Sequence, residues 1–194
     1  MKESKNILIV GVGGQGVLLA GEMLAAAAAQ DGYDVKQSEV HGMAQRGGVV
    51  SSHVRIGPRV YSPLIPIGKA DILLCFEQAE ALRWVHFCSP DGTVIVNLQK
   101  LVPPIALMKG MSYPGNALDS VRRRAARVVP LDAAQIAESL NNPRVVNMVL
   151  LGAVSKHLDI PKTVWESVIG QRVPQGTVPV NSQAFKKGRS ASTV

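Results

Sequence analysis

The chain has 194 residues, of which 46% are hydrophobic and only 4% aromatic, and its formal net charge is +7. This length fits a single domain over residues 1–194, and a core of Val, Ile, Leu and Ala favours strands buried on both faces by helices over a β-sandwich. The composition excludes a membrane-spanning segment, because the apolar stretch Met23–Ala29 is far shorter than the roughly 18 residues that a span requires.

Strands and helices alternate along the first two thirds of the chain. Strands are predicted over Asn6–Val10, Asp34–Ser38, Val49–Ile56, Ala70–Phe76, Thr93–Asn97 and Arg127–Leu131, with a short antiparallel return at Val60-Tyr61. Helices are predicted over Gly16–Asp31, Glu77–Phe87, Asn116 to about Ala126, a stretch beginning at Asp132, Val145–Leu158, Ile160–Gly170 and Pro179–Phe185. The order predicts an α/β fold: a doubly wound Rossmann-like sheet with helices on both faces and a helical C-terminal section from about residue 132.

A glycine-rich turn joins the first strand to the first helix. Glycines allow a tight turn and let an anion approach free backbone N–H groups at the positive end of the helix dipole. We therefore expect cofactor contacts from Gly11, Gly13, Gly14, Gln15 and Gly16. The G-x-G-x-x-G spacing also occurs in dinucleotide-binding proteins, but the acidic ribose ligand is poorly placed here, because Glu39 comes late after the second strand.

A second glycine-rich segment, Glu39–Gly48, precedes the third strand. His41 is a candidate acid or base near neutral pH, and Arg46 can clamp a carboxylate or phosphate with two parallel hydrogen bonds. The alternative is a structural role, in which the polar side chains cap helix ends or contact another subunit. We expect cofactor contacts in this segment from Gly42, Gln45, Arg46, Gly47 and Gly48, and we keep His41 as the one catalytic candidate.

Other functional classes find little support in the sequence. The positive charge is concentrated in Arg122–Arg124 and in the tail Lys186–Arg189, but no aromatic residues alternate with these cations, so we expect no nucleic-acid binding. The two cysteines, Cys75 and Cys88, cannot ligate an iron–sulfur cluster alone and form no C-x-x-C motif, which favours a reducing, cytoplasmic setting. No metal-ligand spacing is present. A stand-alone nucleotide-binding module, regulatory or dehydrogenase-like, remains the alternative to a subunit.

The two glycine-rich stretches together resemble a known family. Ile9–Gly16 and Ser38–Arg55 are similar to the gamma-type catalytic domain of 2-oxoacid:ferredoxin oxidoreductases, and within that family to the beta subunits of indolepyruvate ferredoxin oxidoreductases. Ala70-Asp71 before a buried strand, Asn147 ahead of a helical Leu-Leu-Gly, and Asn181 near the end extend the resemblance over nearly the whole chain.

This resemblance implies a subunit that is inactive alone. It implies a large partner subunit that carries thiamine diphosphate and iron–sulfur clusters, while the present chain carries no cofactor of its own. The assembled enzyme would decarboxylate a 2-oxoacid oxidatively, with indolepyruvate or another aryl pyruvate as the expected substrate, pass the electrons to ferredoxin and release an acyl-CoA. The chain would complete the active site and help to bind coenzyme A as co-substrate.

Overall fold

The computed structural model describes residues 3–42, 48–102 and 112–192. Its strands are β1 (Lys5–Val12), β2 (Asp34–His41), β3 (Val49–Gly57), β4 (Ala70–Cys75), β5 (Cys88–Asn97) and β6 (Arg127–Leu131). Its helices are α1 (Val17–Gln30), α2 (Gln78–Trp84), α3 (Ala117–Arg122), α4 (Ala133–Glu138), α5 (Val146–Ser155), α6 (Lys162–Arg172) and α7 (Val178–Ala191). After β6 every described element is helical, which confirms the predicted C-terminal section.

The six strands form one mixed sheet in the order β2-β3-β1-β4-β5-β6. Strands β1, β4, β5 and β6 run parallel to one another, whereas β3 is antiparallel to both β1 and β2. Since the carboxyl ends of parallel strands meet at one edge of the sheet, the turns that follow β1, β4 and β5 lie side by side.

Alternate residues of the buried strands supply two separate cores, one on each face of the sheet. Ile7 and Ile9 of β1 are fully buried in a large cluster with α1 and the C-terminal helices. Leu8 and Val10 are equally buried on the other face, in a smaller cluster that includes residues of α2 and α3. This period-2 alternation in a strand covered on both faces confirms the predicted doubly wound α/β fold.

Three local expectations were wrong. Strand β2 continues to His41, because it pairs residue for residue with β3 from Asp34–Gly57 to His41–Val50, and this backbone pairing does not depend on apolar side chains. Val60-Tyr61 forms no strand; the Val60 N–H donates to the Asp34 carboxylate at 2.8 Å instead. Helix α7 continues well past Phe185 because it packs closely along α5.

The contact between α5 and α7 is a direct approach of their backbones. A methyl group on Gly188 would overlap the Val149 carbonyl, and one on Gly152 would overlap the Phe185 carbonyl. Only glycine, which has no side chain, lets the two helices approach so closely.

We expect Gly188→Ala to lower the free energy of unfolding by about 3 kcal/mol, because the added methyl group must push α7 away from α5. The matched control is Gly170→Ala in α6, where a methyl group would enter open space. This control should raise the stability by about 0.5 kcal/mol by restricting the unfolded chain. Urea unfolding of the purified chain measures both changes, and equal stability of the two variants would contradict the close contact.

Candidate functional site

The glycine turn lies at the carboxyl end of β1 and leads into α1. Gly14 and Gly16 adopt positive φ angles of 98° and 85°, which side chains other than glycine rarely tolerate. Gly16 is the N-cap of α1 and supplies no side-chain cap for the first backbone N–H groups of this helix. Those groups and the helix dipole make the turn suited to an anion.

The second glycine-rich segment meets this turn. The Gly13 N–H donates to the Gly48 carbonyl at 2.9 Å, and the Gly42 N–H donates to the Val49 carbonyl at 2.8 Å. The backbones of the two glycine-rich segments are therefore in direct contact. His41 ends β2 beside Val50. Gln45, Arg46 and Gly47 lie outside the described residues, so their cofactor contacts stay predictions, as does catalysis by His41.

A cleft of about 520 Å³ opens over the glycine turn. Its walls include the turn itself, Gln99 and Leu101 after β5, and Arg144 and Asn147 at the start of α5. Arg144 is exposed at the cleft and provides a positive charge. Gln99 and Arg144 are not among the predicted site residues, and no local motif could have identified them, because both reach the turn only through the packing of distant segments.

The Gln15 side chain is engaged in internal hydrogen bonds. Its Oε1 accepts from the Val12 N–H at 2.7 Å, and its Nε2 donates to the Phe76 carbonyl at 3.2 Å and to Gln99 Oε1 at 3.1 Å. Buried Asn97 also donates to the Phe76 carbonyl, at 3.1 Å. The Gln15 side chain therefore links the ends of β1, β4 and β5, and we call its three hydrogen bonds the Gln15 brace. Contact of its side chain with a cofactor stays a prediction.

Gly11 and Gly16 also pack closely against other side chains. A β-carbon on Gly11 would lie 2.8 Å from atoms of Gln15, Phe76 and Val17. Only glycine therefore leaves room for the Gln15 side chain to form its hydrogen bonds. A β-carbon on Gly16 would lie 3.1 Å from Asn147 Nδ2. Asn147 is only 9% exposed and lines the cleft, where its Oδ1 accepts from the Met148 N–H at 2.9 Å.

A second cavity of about 360 Å³ adjoins the cleft at Leu101. The Glu77 carboxylate, 1% exposed, accepts from the backbone N–H groups of Ala79 at 2.7 Å and Leu101 at 3.1 Å and from the Tyr113 hydroxyl. Burial, followed by this hydrogen bond to Glu77, raises the pKa of Tyr113, which therefore stays protonated. Burial also raises the pKa of Glu80, against the opposing effect of Arg83.

The sheet order disfavours a dinucleotide site of the dehydrogenase kind. In such sites the acidic ribose ligand ends the strand beside β1. Here β3 lies between β1 and β2, so the end of β2 is one strand away from the glycine turn. The Glu39 carboxylate also accepts a hydrogen bond from Gln37 at 2.8 Å. The Nδ1 of His53 accepts a hydrogen bond from the Ile65 N–H at 3.2 Å.

Within the described residues, no group of three His, Cys, Asp or Glu side chains is arranged to hold a metal ion. Among the same residues, no helix has the length and apolar character of a membrane span. Cys75 is fully buried in β4. Burial raises the pKa of the Cys88 thiol to about 11, which leaves little of the thiolate that a metal requires.

Comparison with known proteins shows which family this chain resembles. Residues 6–191 match the family described as pyruvate ferredoxin/flavodoxin oxidoreductase. The indolepyruvate oxidoreductase subunit IorB of Thermococcus kodakarensis is 39% identical over 200 residues, covering 99% of this chain and 97% of its own.

Two solved structures share the fold. The gamma subunit of a keto/oxoacid ferredoxin oxidoreductase from Geobacter sulfurreducens is 26% identical, with a TM-score of 0.72 and coverage of 97% of this chain and 98% of its own. The 2-oxoglutarate:ferredoxin oxidoreductase of Magnetococcus marinus, solved with 2-oxoglutarate, coenzyme A and succinyl-CoA bound, is 21% identical, with a TM-score of 0.78. This chain is covered to 99% by that structure but corresponds to only 31% of that longer chain.

We expect Gln15→Glu to lower the free energy of unfolding by about 2–3 kcal/mol at pH 8, because a carboxylate cannot donate to Phe76 or Gln99. Burial beside these acceptors raises the pKa of the new carboxyl above the ~4.3 of the unfolded chain. The stability of the variant relative to the parent therefore falls as the pH rises through this window.

Urea unfolding at about pH 5 and about pH 8 measures this dependence. The control is Gln171→Glu in α6, where the Gln171 amide makes one exposed hydrogen bond to Ser167. Its effect should be small and independent of pH over that range. A Gln15→Glu variant that behaves like this control would show that the brace contributes nothing to stability.

Proposed function

Because this chain belongs to the pyruvate ferredoxin/flavodoxin oxidoreductase family and is a subunit of a 2-oxoacid:ferredoxin oxidoreductase, we propose that its complex acts on indolepyruvate or another aryl pyruvate. The relative from Thermococcus, which is named for indolepyruvate, supports this substrate. The complex would oxidise and decarboxylate the 2-oxoacid, reduce ferredoxin and form an acyl-CoA. The chain would work in the cytoplasm; its two cysteines are free thiols, as a reducing compartment favours.

We assign thiamine diphosphate and the iron–sulfur clusters to a large partner subunit. The described residues do not fit a cluster, since Cys75 lies in the core and the high pKa of Cys88 disfavours its thiolate. The contribution of this chain would be to bind and orient a co-substrate and to complete the partner's active site. His41, Gln45 and Arg46 remain the predicted contacts to substrate or partner.

The cleft over the glycine turn is the main support for a role in binding a co-substrate. Coenzyme A contains a diphosphate, and the cleft offers three donors of the kind that bind one. These are the start of α1, which has no side-chain cap, the Arg144 guanidinium and the Asn147 amide. The protein of the same fold from Magnetococcus was solved with coenzyme A bound. Coenzyme A is therefore the ligand to test first.

The complex itself provides the test of function. The chain should be co-expressed with the large subunit, and reduction of ferredoxin should be followed with indolepyruvate, pyruvate and 2-oxoglutarate. We expect the largest kcat/KM with indolepyruvate and no coenzyme A-dependent turnover when this chain is omitted. Full activity without the chain would contradict the proposal, and a preference for 2-oxoglutarate would contradict the substrate. Calorimetry of the complex should detect binding of coenzyme A but no binding of NAD.

For the cleft, we expect Arg144→Gln to raise the KM for coenzyme A about tenfold, because one charge-assisted hydrogen bond to the diphosphate is lost. The KM for the 2-oxoacid and the kcat should change little, since Arg144 would touch only the co-substrate. Arg172→Gln, at the exposed end of α6, removes the same charge away from the cleft and serves as the control. If both variants keep the parental KM for coenzyme A, the diphosphate does not bind at Arg144.

A further inference from the structure

Three carboxamide side chains at the cleft form one connected network of hydrogen bonds. The Gln15 amide donates to Gln99 Oε1 at 3.1 Å, and the Asn97 amide donates to the same oxygen at 3.5 Å. Gln15 and Asn97 also share the Phe76 carbonyl as an acceptor, at 3.2 Å and 3.1 Å. A carboxamide has an acceptor at one end and donors at the other, so the orientation of each member restricts that of the next.

Two backbone N–H groups fix the orientation of this network. The Val12 N–H donates to Gln15 Oε1 at 2.7 Å, and the Ala133 N–H donates to Asn97 Oδ1 at 3.2 Å. A backbone N–H can only donate, so each of these two amides must turn its oxygen toward the backbone and its nitrogen away from it. Both nitrogens point to Gln99, which must therefore turn its own oxygen toward them.

The same constraint decides which end of Gln99 is left for a ligand. Gln99 is half-buried and lines the cleft. Rotating its amide by half a turn would bring its nitrogen against the nitrogens of Gln15 and Asn97, in place of two hydrogen bonds. The amide nitrogen is therefore the polar end that Gln99 can offer to a ligand in the cleft, and this group can only donate.

Asn147, on another wall of the cleft, is oriented in the same sense. Its Oδ1 accepts from the Met148 N–H, whereas its Nδ2 lies toward the glycine turn, 3.1 Å from the position that a β-carbon on Gly16 would take. Among the described residues that line the cleft, Arg144 is the one charged side chain and none has a carboxylate. The side chains of the cleft therefore offer donors, and the amide oxygens are engaged elsewhere.

We propose that Gln99 is a specificity-determining residue of the cleft, which the amide network holds as a donor to an anionic oxygen of the ligand. This inference rests on the proposed function, in which the ligand is coenzyme A and the anionic group its diphosphate. An ionised diphosphate has acceptors only and matches side chains that only donate. A ligand with a hydroxyl or amino group at the same place would lose hydrogen bonds to water without finding a side-chain acceptor, and is disfavoured.

The test is the affinity of the assembled complex for coenzyme A, measured by calorimetry with variants of Gln99. Gln99→Met keeps the size and removes the donor, so the Kd should rise about tenfold. Gln99→Glu should raise it at least about 100-fold at pH 8, because a carboxylate would face the diphosphate. At about pH 6 part of this loss should be recovered, since the nearby phosphates raise the pKa of the new carboxyl and its protonated form can donate.

The outcomes separate this inference from the proposed function. If the parent complex binds no coenzyme A, the proposed co-substrate role fails, and this inference with it. If the parent binds coenzyme A and both Gln99 variants bind it equally well, only the role of Gln99 is wrong. Equal losses in the two variants without recovery at about pH 6 would reduce Gln99 to support of the turn. Gln171→Glu, the same change on exposed α6, should bind like the parent at both pH values.

Discussion

The hydrogen bonds of the Gln15 carboxamide hold together the strand ends on which the cleft is built. One side chain joins the backbone at Val12, the carbonyl at Phe76 and the amide of Gln99. The arrangement requires glycine at position 11, because any β-carbon there would occupy the space of the brace. The same turn that exposes backbone donors to an anion is thereby kept in one shape without help from a ligand, as a pre-organised binding site requires.

The parts of the fold that depend on local sequence could be predicted. The glycine turn, the buried strands and the helical C-terminal section follow from composition and periodicity, and the structure confirms them. The position of β3 between β1 and β2 could not be predicted, because strand order is set by pairing between distant segments. Arg144 and Gln99 were missed for the same reason, since each reaches the turn only after the chain has folded.

The antiparallel strand β3 runs from the glycine turn to the opposite edge of the sheet. It begins at Val49, next to Gly48, whose carbonyl accepts from the glycine turn, and it ends at Gly57. On one face, His53 accepts from the Ile65 N–H at 3.2 Å, and Arg55 donates to the Ser62 carbonyl at 3.0 Å. On the other face, Ser52 accepts from the Gln37 amide at 3.2 Å. These hydrogen bonds explain why an interior strand carries polar side chains, which are unusual in a core.

The backbone contact between α5 and α7 also bears on the cleft. The two helices touch through Gly152 and Gly188 and cannot approach each other further, so they pack as one close unit. Asn147 lies in the first turn of α5, at the floor of the cleft. The floor of the cleft is therefore part of a close-packed helical layer rather than of a loop, and that layer depends on the two glycines.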